Sequence, residues 1–299
     1  MASILKALKA GKILVSDGAW GTMLQQKGLK PGECPERWNL DHPEAVYEIA
    51  ESYIRAGSDL VETNSFGGSS IKLEGYGLDK KAYEINKAAA MLSRKATGQK
   101  KYVLGSIGPC GKMLMMEEVT VDHLYESFRE QAMALEAGGA DAIVVETMTD
   151  LQEAMIAVKA ARENTKLEVA CTMTFDKTVN GEYRTMMGIS PAEMTRAMLE
   201  AGVDIIGTNC GHGMKDMEGI VEEIRNTDAE IPILVHANAG IPEYRDGATV
   251  YPESPDDMAR LIRPVLRAGA TIVGGCCGTT PEHISKIKEE VEKKMNHGI

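Results

Sequence analysis

The chain has 299 residues, 43% hydrophobic and 26% charged, proportions of a folded globular protein that exclude a disordered one. Its 44 acidic and 33 basic side chains leave a formal charge of −11, which argues against nucleic acid and anionic membranes as main partners. No run approaches the roughly 20 apolar residues of a membrane helix, and six cysteines are too few for a disulfide scaffold.

The first residues alternate lysines with apolar side chains and never build a signal-peptide core, so they read as a short amphipathic helix of a cytoplasmic protein. A strand is then predicted at 13–16, a helix over 43–56 and a strand near 60. Next come a helix over 80–97, a strand at 102–107 and a helix over 122–138. A strand near 143, a helix over 150–164 and a strand at 168–174 continue the alternation. The helix at 190–201 opens on Ser190-Pro191-Ala-Glu193, a cap signal with proline at the first helical position. A strand near 206, a helix over 215–227 and a strand at 232–237 follow. The helix at 255–268 opens on Ser254-Pro255-Asp-Asp257, and a strand near 272 and a helix over 281–296 complete the series.

Four of these strands follow one phrase, in which a helix ends in Ala-Gly or Gly-Gly and a short apolar run begins: Ala56-Gly-Ser-Asp59, Gly138-Gly-Ala-Asp141, Ala201-Gly-Val-Asp204 and Ala268-Gly-Ala-Thr271. The continuous apolar runs suit strands covered on both faces. Eight such units, with no linker or break in composition, predict an α/β fold: a single (β/α)8 TIM barrel spanning 1–299, with a doubly wound open sheet as the rival.

In a barrel the C-terminal strand ends build the active site. Here they read Asp17-Gly18, Glu62-Thr63-Asn64, Gly108-Pro109, Glu146-Thr147, Thr174-Phe175, Asn209-Cys210, Asn238-Ala239 and Cys276-Cys277. Three thiolates from two strands, Cys210 with Cys276 and Cys277, could meet one zinc and leave a fourth position open. The flanking Gly274, Gly275 and Gly278 allow adjacent cysteines to leave strand geometry. Buried small hydrophobes are the plain alternative, and the expected one for Cys34, Cys110 and Cys171. Asp17 and Glu146 could hold an ammonium group, work as an acid–base pair or cap helices. The backbone of Asp17-Gly18-Ala19-Trp20-Gly21-Thr22 suits a carboxylate. A rival reading makes Gly274–Thr280 a phosphate cup, although no basic residue lies in 271–281.

These phrases resemble the zinc-dependent homocysteine S-methyltransferase family, and most closely the homocysteine-binding module of cobalamin-dependent methionine synthase. The similarity runs through Asp17-Gly-Ala-Trp-Gly-Thr22, Glu62-Thr-Asn-Ser-Phe-Gly67, Ile107-Gly-Pro109, Val145-Glu-Thr147, Met173-Thr-Phe175 and Asn209-Cys210. It continues through Asn238-Ala-Gly240, Thr249-Val-Tyr-Pro252 and the specific phrase Gly274-Gly-Cys-Cys-Gly-Thr-Thr-Pro-Glu-His283. The resemblance implies a methyltransferase that makes methionine. Zinc would sit on Cys210, Cys276 and Cys277, with the homocysteine sulfur as fourth ligand. The substrate ammonium would meet Asp17 and Glu146, its carboxylate the backbone of Gly18, Ala19, Gly21 and Thr22, and Asn209 would join the substrate-binding set.

The donors that the resemblance implies are methylcobalamin or a related corrinoid, S-methylmethionine, S-adenosylmethionine and betaine. The sequence lacks the Asp-x-His-x-x-Gly corrinoid phrase and ends at Ile299, soon after its last helix, so the expected donor is a methylcorrinoid on a separate protein. A quaternary-ammonium donor would want an aromatic cage, and few aromatic residues stand at the strand ends. The 18 methionines read mostly as core filler, while Met113-Leu-Met-Met116 could form a pliable docking rim. Tyr183 and His212 match no family phrase and receive no role.

Overall fold

The computed structural model describes residues 3–245 and 248–297; Met1 and Ile299, the bounds expected for the barrel, lie outside them. Eight parallel strands form a nearly closed barrel: β1 (Leu14–Val15), β2 (Leu60–Glu62), β3 (Tyr102–Ile107), β4 (Ala142–Met148), β5 (Glu168–Met173), β6 (Ile205–Gly213), β7 (Ile233–Asn238) and β8 (Ile272–Gly275). Each is followed by a helix, giving α1 (Pro43–Arg55), α2 (Ala82–Thr97), α3 (Val121–Gly138), α4 (Leu151–Asn164), α5 (Pro191–Glu200), α6 (Met214–Thr227), α7 (Pro255–Ala268) and α8 (Pro281–His297). The expected barrel is therefore the observed one, and the open doubly wound sheet is excluded. No described helix is long and apolar enough to cross a membrane.

Sequence chemistry sets the registry. In each copy of the repeated phrase, the polar residue before an even-numbered strand grips the preceding odd strand. Val15 donates its amide to Asp59 Oδ2 (3.1 Å), Val103 to Asp141 Oδ2 (2.9 Å), Val169 to Asp204 Oδ2 (2.9 Å) and Ile233 to Thr271 Oγ1 (3.0 Å). The amides of the same four polar residues donate back to the carbonyls of Val15, Val103, Val169 and Ile233. A two-way clamp thus recurs four times around the barrel.

One join lacks a backbone ladder. Strands β1 and β2 close through the Asp59 clamp, through Ser58 Oγ donating to the Ser16 carbonyl (3.2 Å) and through the Glu62 amide donating to Asp17 Oδ2 (2.8 Å). Burial pushes the Asp59 carboxyl up, but Lys101 and Lys288, at 2.7 and 2.9 Å, hold it below the usual range.

The expected N-terminal helix spans Ile4–Lys9 and plugs the bottom of the barrel. Its Ile4 joins Leu14, Leu60, Leu104, Val144 and Leu234 in one buried layer, and Glu168 accepts the amides of Ile4 and Leu5. The bottom is sealed, which leaves the strand-end mouth for chemistry. Close strand packing depends on Gly207 of β6, where a Cβ would lie 1.8 Å from the Leu234 carbonyl oxygen. Because that obstacle is backbone, Gly207→Ala is expected to cost about 3 kcal/mol, read as a lower urea midpoint.

Candidate metal and substrate site

The cysteines reach the mouth by leaving regular geometry. Strand β6 shifts register between Asn209 and Gly213, and Cys210 takes a left-handed φ of 61° before Gly211 at 69°. That conformation costs of order 1–3 kcal/mol in a non-glycine residue and persists where the surroundings fix it. After β8 the turn is pinned amide by amide. Cys276 donates to the Ala237 carbonyl (2.7 Å), Cys277 to Asn238 Oδ1 (3.1 Å), and Gly278 supplies a φ of 80°. The Tyr251 ring lies so close to Gly278 that a Cβ there would sit 2.1 Å from it, and the Tyr251 hydroxyl bonds to Cys277 Sγ.

The result is that all three Sγ atoms lie within 4.8 Å of one another. A tetrahedral zinc with Zn–S near 2.3 Å needs sulfurs about 3.8 Å apart, so small side-chain adjustments suit the trio to a thiophilic metal. Their proton affinities diverge as one anion shared among three sulfurs requires. Hydrogen bonds from Cys276 and then Cys277 bring the Cys210 thiol down to about 3, while the same neighbours push Cys276 and Cys277 up. Cys34, Cys110 and Cys171 are buried thiols pushed up to about 12 by desolvation, as expected of packing residues.

The sulfurs share a cavity of about 380 Å³ with Glu62, Glu146, His236, Ser106, Trp20, Phe66 and the backbone of Gly18–Thr22. Asp17, 1% exposed, lies behind this wall and accepts from Trp20 Nε1 (2.9 Å), Ser16 Oγ (3.1 Å) and the Glu62 amide. Glu146 accepts from Ser106 Oγ and from Asn209 Nδ2 (3.3 Å). Burial raises all three carboxyls: Asp17 to about 7, Glu62 to about 8, and Glu146 well above its ordinary value.

Such groups bind more protons folded than unfolded, so their stabilisation is complete below pH 4 and fades as pH rises through 7 and 8. The thermal midpoint of metal-free, ligand-free protein is therefore expected to fall between pH 5 and 8. A rising midpoint over that window would count against buried, unpaired acids.

Two of the expected substrate-binding groups already have internal partners. The Ala19 amide is committed to Thr279 Oγ1 (3.0 Å), which leaves Gly21 and Thr22, in the first turn of the helix Gly21–Gln26, as wall amides without intrahelical acceptors. Asn209 is fully buried and does not line the cavity. It binds the Thr147 amide (2.8 Å), Thr147 Oγ1 (2.7 Å), Thr172 Oγ1 (2.7 Å) and Glu146, so it holds Glu146 in place. The phosphate-cup rival also fails, because the amides of Cys276, Cys277, Thr279 and Thr280 all have internal acceptors.

Sequence reasoning missed His236, Glu36, Ser106 and Tyr251 at the site. Glu36 is buried at the cavity wall and accepts the Gly67 amide at 2.6 Å. Tyr183 packs on Gly219 of α6, and His212 lies between Asp176 and Asp216, 3.3 and 3.7 Å away.

Residues 14–291 match the family described as homocysteine S-methyltransferase. The chain belongs to that family. Methionine synthases of Mycobacterium leprae and Mycobacterium tuberculosis are each 32% identical over 95% and 94% of this chain. The chain spans about a quarter of the length of either relative (25%). Among solved structures, the metallated homocysteine methyltransferase MmuM of Escherichia coli superposes with a TM-score of 0.78 at 22% identity, over 95% of this chain and 99% of that one, a likeness of fold. The family match covers the double-cysteine turn and every carboxylate of the cavity.

Proposed function

We propose that this barrel, residues 1–299 acting as one homocysteine-binding domain, transfers a methyl group to the sulfur of homocysteine and releases methionine. The observation that carries this is the meeting of Cys210, Cys276 and Cys277 within 4.8 Å beside a cavity walled by buried carboxylates. Zinc is the metal that suits three thiolates and one further soft ligand. When bound, it supplies the substrate sulfur as a thiolate at neutral pH.

The chain's own residues do the rest. Glu146, with the charge of Asp17 behind it, holds the substrate ammonium, and the amides of Gly21 and Thr22 meet its carboxylate. Ser106 and Asn209 fix the Glu146 oxygens, and the Tyr251 hydroxyl supports Cys277. The positioned sulfur then forms its bond to the methyl carbon while the donor keeps the electron pair of the bond that breaks.

We propose a methylcorrinoid on a separate carrier protein as the donor. The methionine synthase relatives support this, as does the rim. Met113, Met115 and Met116 after β3, Val179 and Met186 after β5, and Ile241 and Tyr244 after β7 are all exposed, with Met115 at 67% and Met116 at 64%. These are the adaptable apolar groups that a partner face would cover.

The test mixes zinc-loaded protein, homocysteine and free methylcobalamin. Loss of the methyl–cobalt absorption band with matching methionine is the expected result. Turnover with S-methylmethionine, S-adenosylmethionine or betaine, and none with methylcobalamin or a corrinoid carrier, would reject the corrinoid donor.

A further inference from the structure

Of the four acids around the cavity, Glu62 has the most acceptor capacity left, since Glu36 already accepts from the Gly67 amide and the Cys34 thiol. A carboxylate offers about four lone-pair positions. Asp17 has filled three of them and lies behind the wall, and Glu146 has filled two. Glu62 lines the cavity, is 7% exposed, and its Oε1 lies 3.3 Å from His236 Nδ1. Both Glu62 Oε1 and His236 Nε2 are buried without a hydrogen-bond partner. Buried polar atoms left in that state cost stability and are uncommon in folded proteins, so two of them facing one cavity point to a ligand group.

We propose that Glu62, oriented by His236, is the direct carboxylate contact of the substrate's ammonium group beside Glu146, and makes the site select α-amino thiols over thiols that lack the amine. This rests on the homocysteine reading and deepens it.

The stereochemistry is simple. An ammonium carries three N–H donors, and the open oxygens of Glu62 and Glu146 take two of them at the wall. Asp17, with its acceptors spent, contributes charge from behind. Titratable neighbours of Glu62 besides these acids include His236 on β7, 3.3 Å away, and Tyr53 on α1. Burial holds His236 below its usual pKa, so it enters as a neutral imidazole. Its Nδ1 faces Glu62 Oε1 across 3.3 Å without closing a hydrogen bond, and its Nε2 remains an acceptor for the third ammonium proton or a water. His236 is a positioning residue in this arrangement, and Glu62 is the group that touches substrate.

The experiment compares homocysteine with 4-mercaptobutanoate, the same thiol acid without its amine, by calorimetric titration of zinc-loaded protein. The wild type is expected to favour homocysteine. Glu62→Gln is expected to shrink that preference at least tenfold through loss of one charge-assisted contact, with 4-mercaptobutanoate affinity and zinc content unchanged. Glu62→Asp keeps the charge, is expected to recover part of the preference, and is read in the same way if Glu62→Gln does not fold. A preference lost in Glu146→Gln and retained in both Glu62 variants overturns this assignment alone. Equal affinity for both thiols in the wild type overturns the homocysteine reading and the subsite together.

Discussion

Replacing Cys277 with alanine is expected to lower zinc from about one per chain to near zero and to abolish methyl transfer. A three-thiolate site loses a third of its ligands and its net negative charge in one step. No neighbouring donor is placed to substitute: Asn238 Oδ1 already accepts the Cys277 amide, and the Tyr251 hydroxyl is aimed at the sulfur being removed. The fold is expected to survive, since the Cys276–Gly278 turn is held by backbone bonds to Ala237 and Ala239, which the substitution leaves intact. Metal analysis after dialysis, with circular dichroism as the folding control, reads the result. Full zinc occupancy in a Cys210/Cys276/Cys277 triple alanine variant would sink the three-sulfur site.

Asp17→Asn is expected to weaken homocysteine binding about a hundredfold while zinc stays in place, the size of effect that fits loss of a buried charge facing a cation. The substitution removes the charge behind the ammonium. It also disturbs its surroundings, because three donors converge on the Asp17 oxygens, from Ser16, Trp20 and the Glu62 amide. An asparagine turns its NH2 group toward Ser16 Oγ, which can accept, and keeps its carbonyl oxygen for the Trp20 and Glu62 donors. Zinc content measured beside the binding isotherm separates this from metal loss. Unchanged affinity would leave Asp17 with a purely structural part.

The eight helices were legible because each is long enough to show a period, and the eight strands, some as short as Leu14–Val15, because they are continuous apolar runs and the Ala-Gly phrase repeats where the polar clamp is needed. The two-residue strands of the Asp176–Lys177 and Tyr183–Arg184 hairpin carry no period and were not expected. The cysteine trio was legible because adjacent cysteines cannot both be ordinary strand residues. Glu62 stood in plain sight at a strand end, yet its meaning comes from His236, three strands away across the β1–β2 join, and no local pattern joins them. The internal partners of Asn209 and of the Ala19 amide were not legible for a related reason. Both sit at strand ends, but whether such a group faces the cavity or a neighbouring side chain is decided by burial and hydrogen-bond partners, not by spacing.

The ring of strands has seven backbone ladders and, among the described residues, one join made mostly by side chains, between β1 and β2. Ladders respond weakly to pH or salt, whereas the eighth join depends on the ionisation of Asp59 and Asp17. Asp17 and Glu62 stand on opposite sides of that join. A cation gathered by both acids is therefore a rivet across the seam, and occupancy of the mouth stiffens the wall beneath it. Amide exchange at Val15, Asp59 and Glu62 should be the part of the barrel that slows most when substrate arrives.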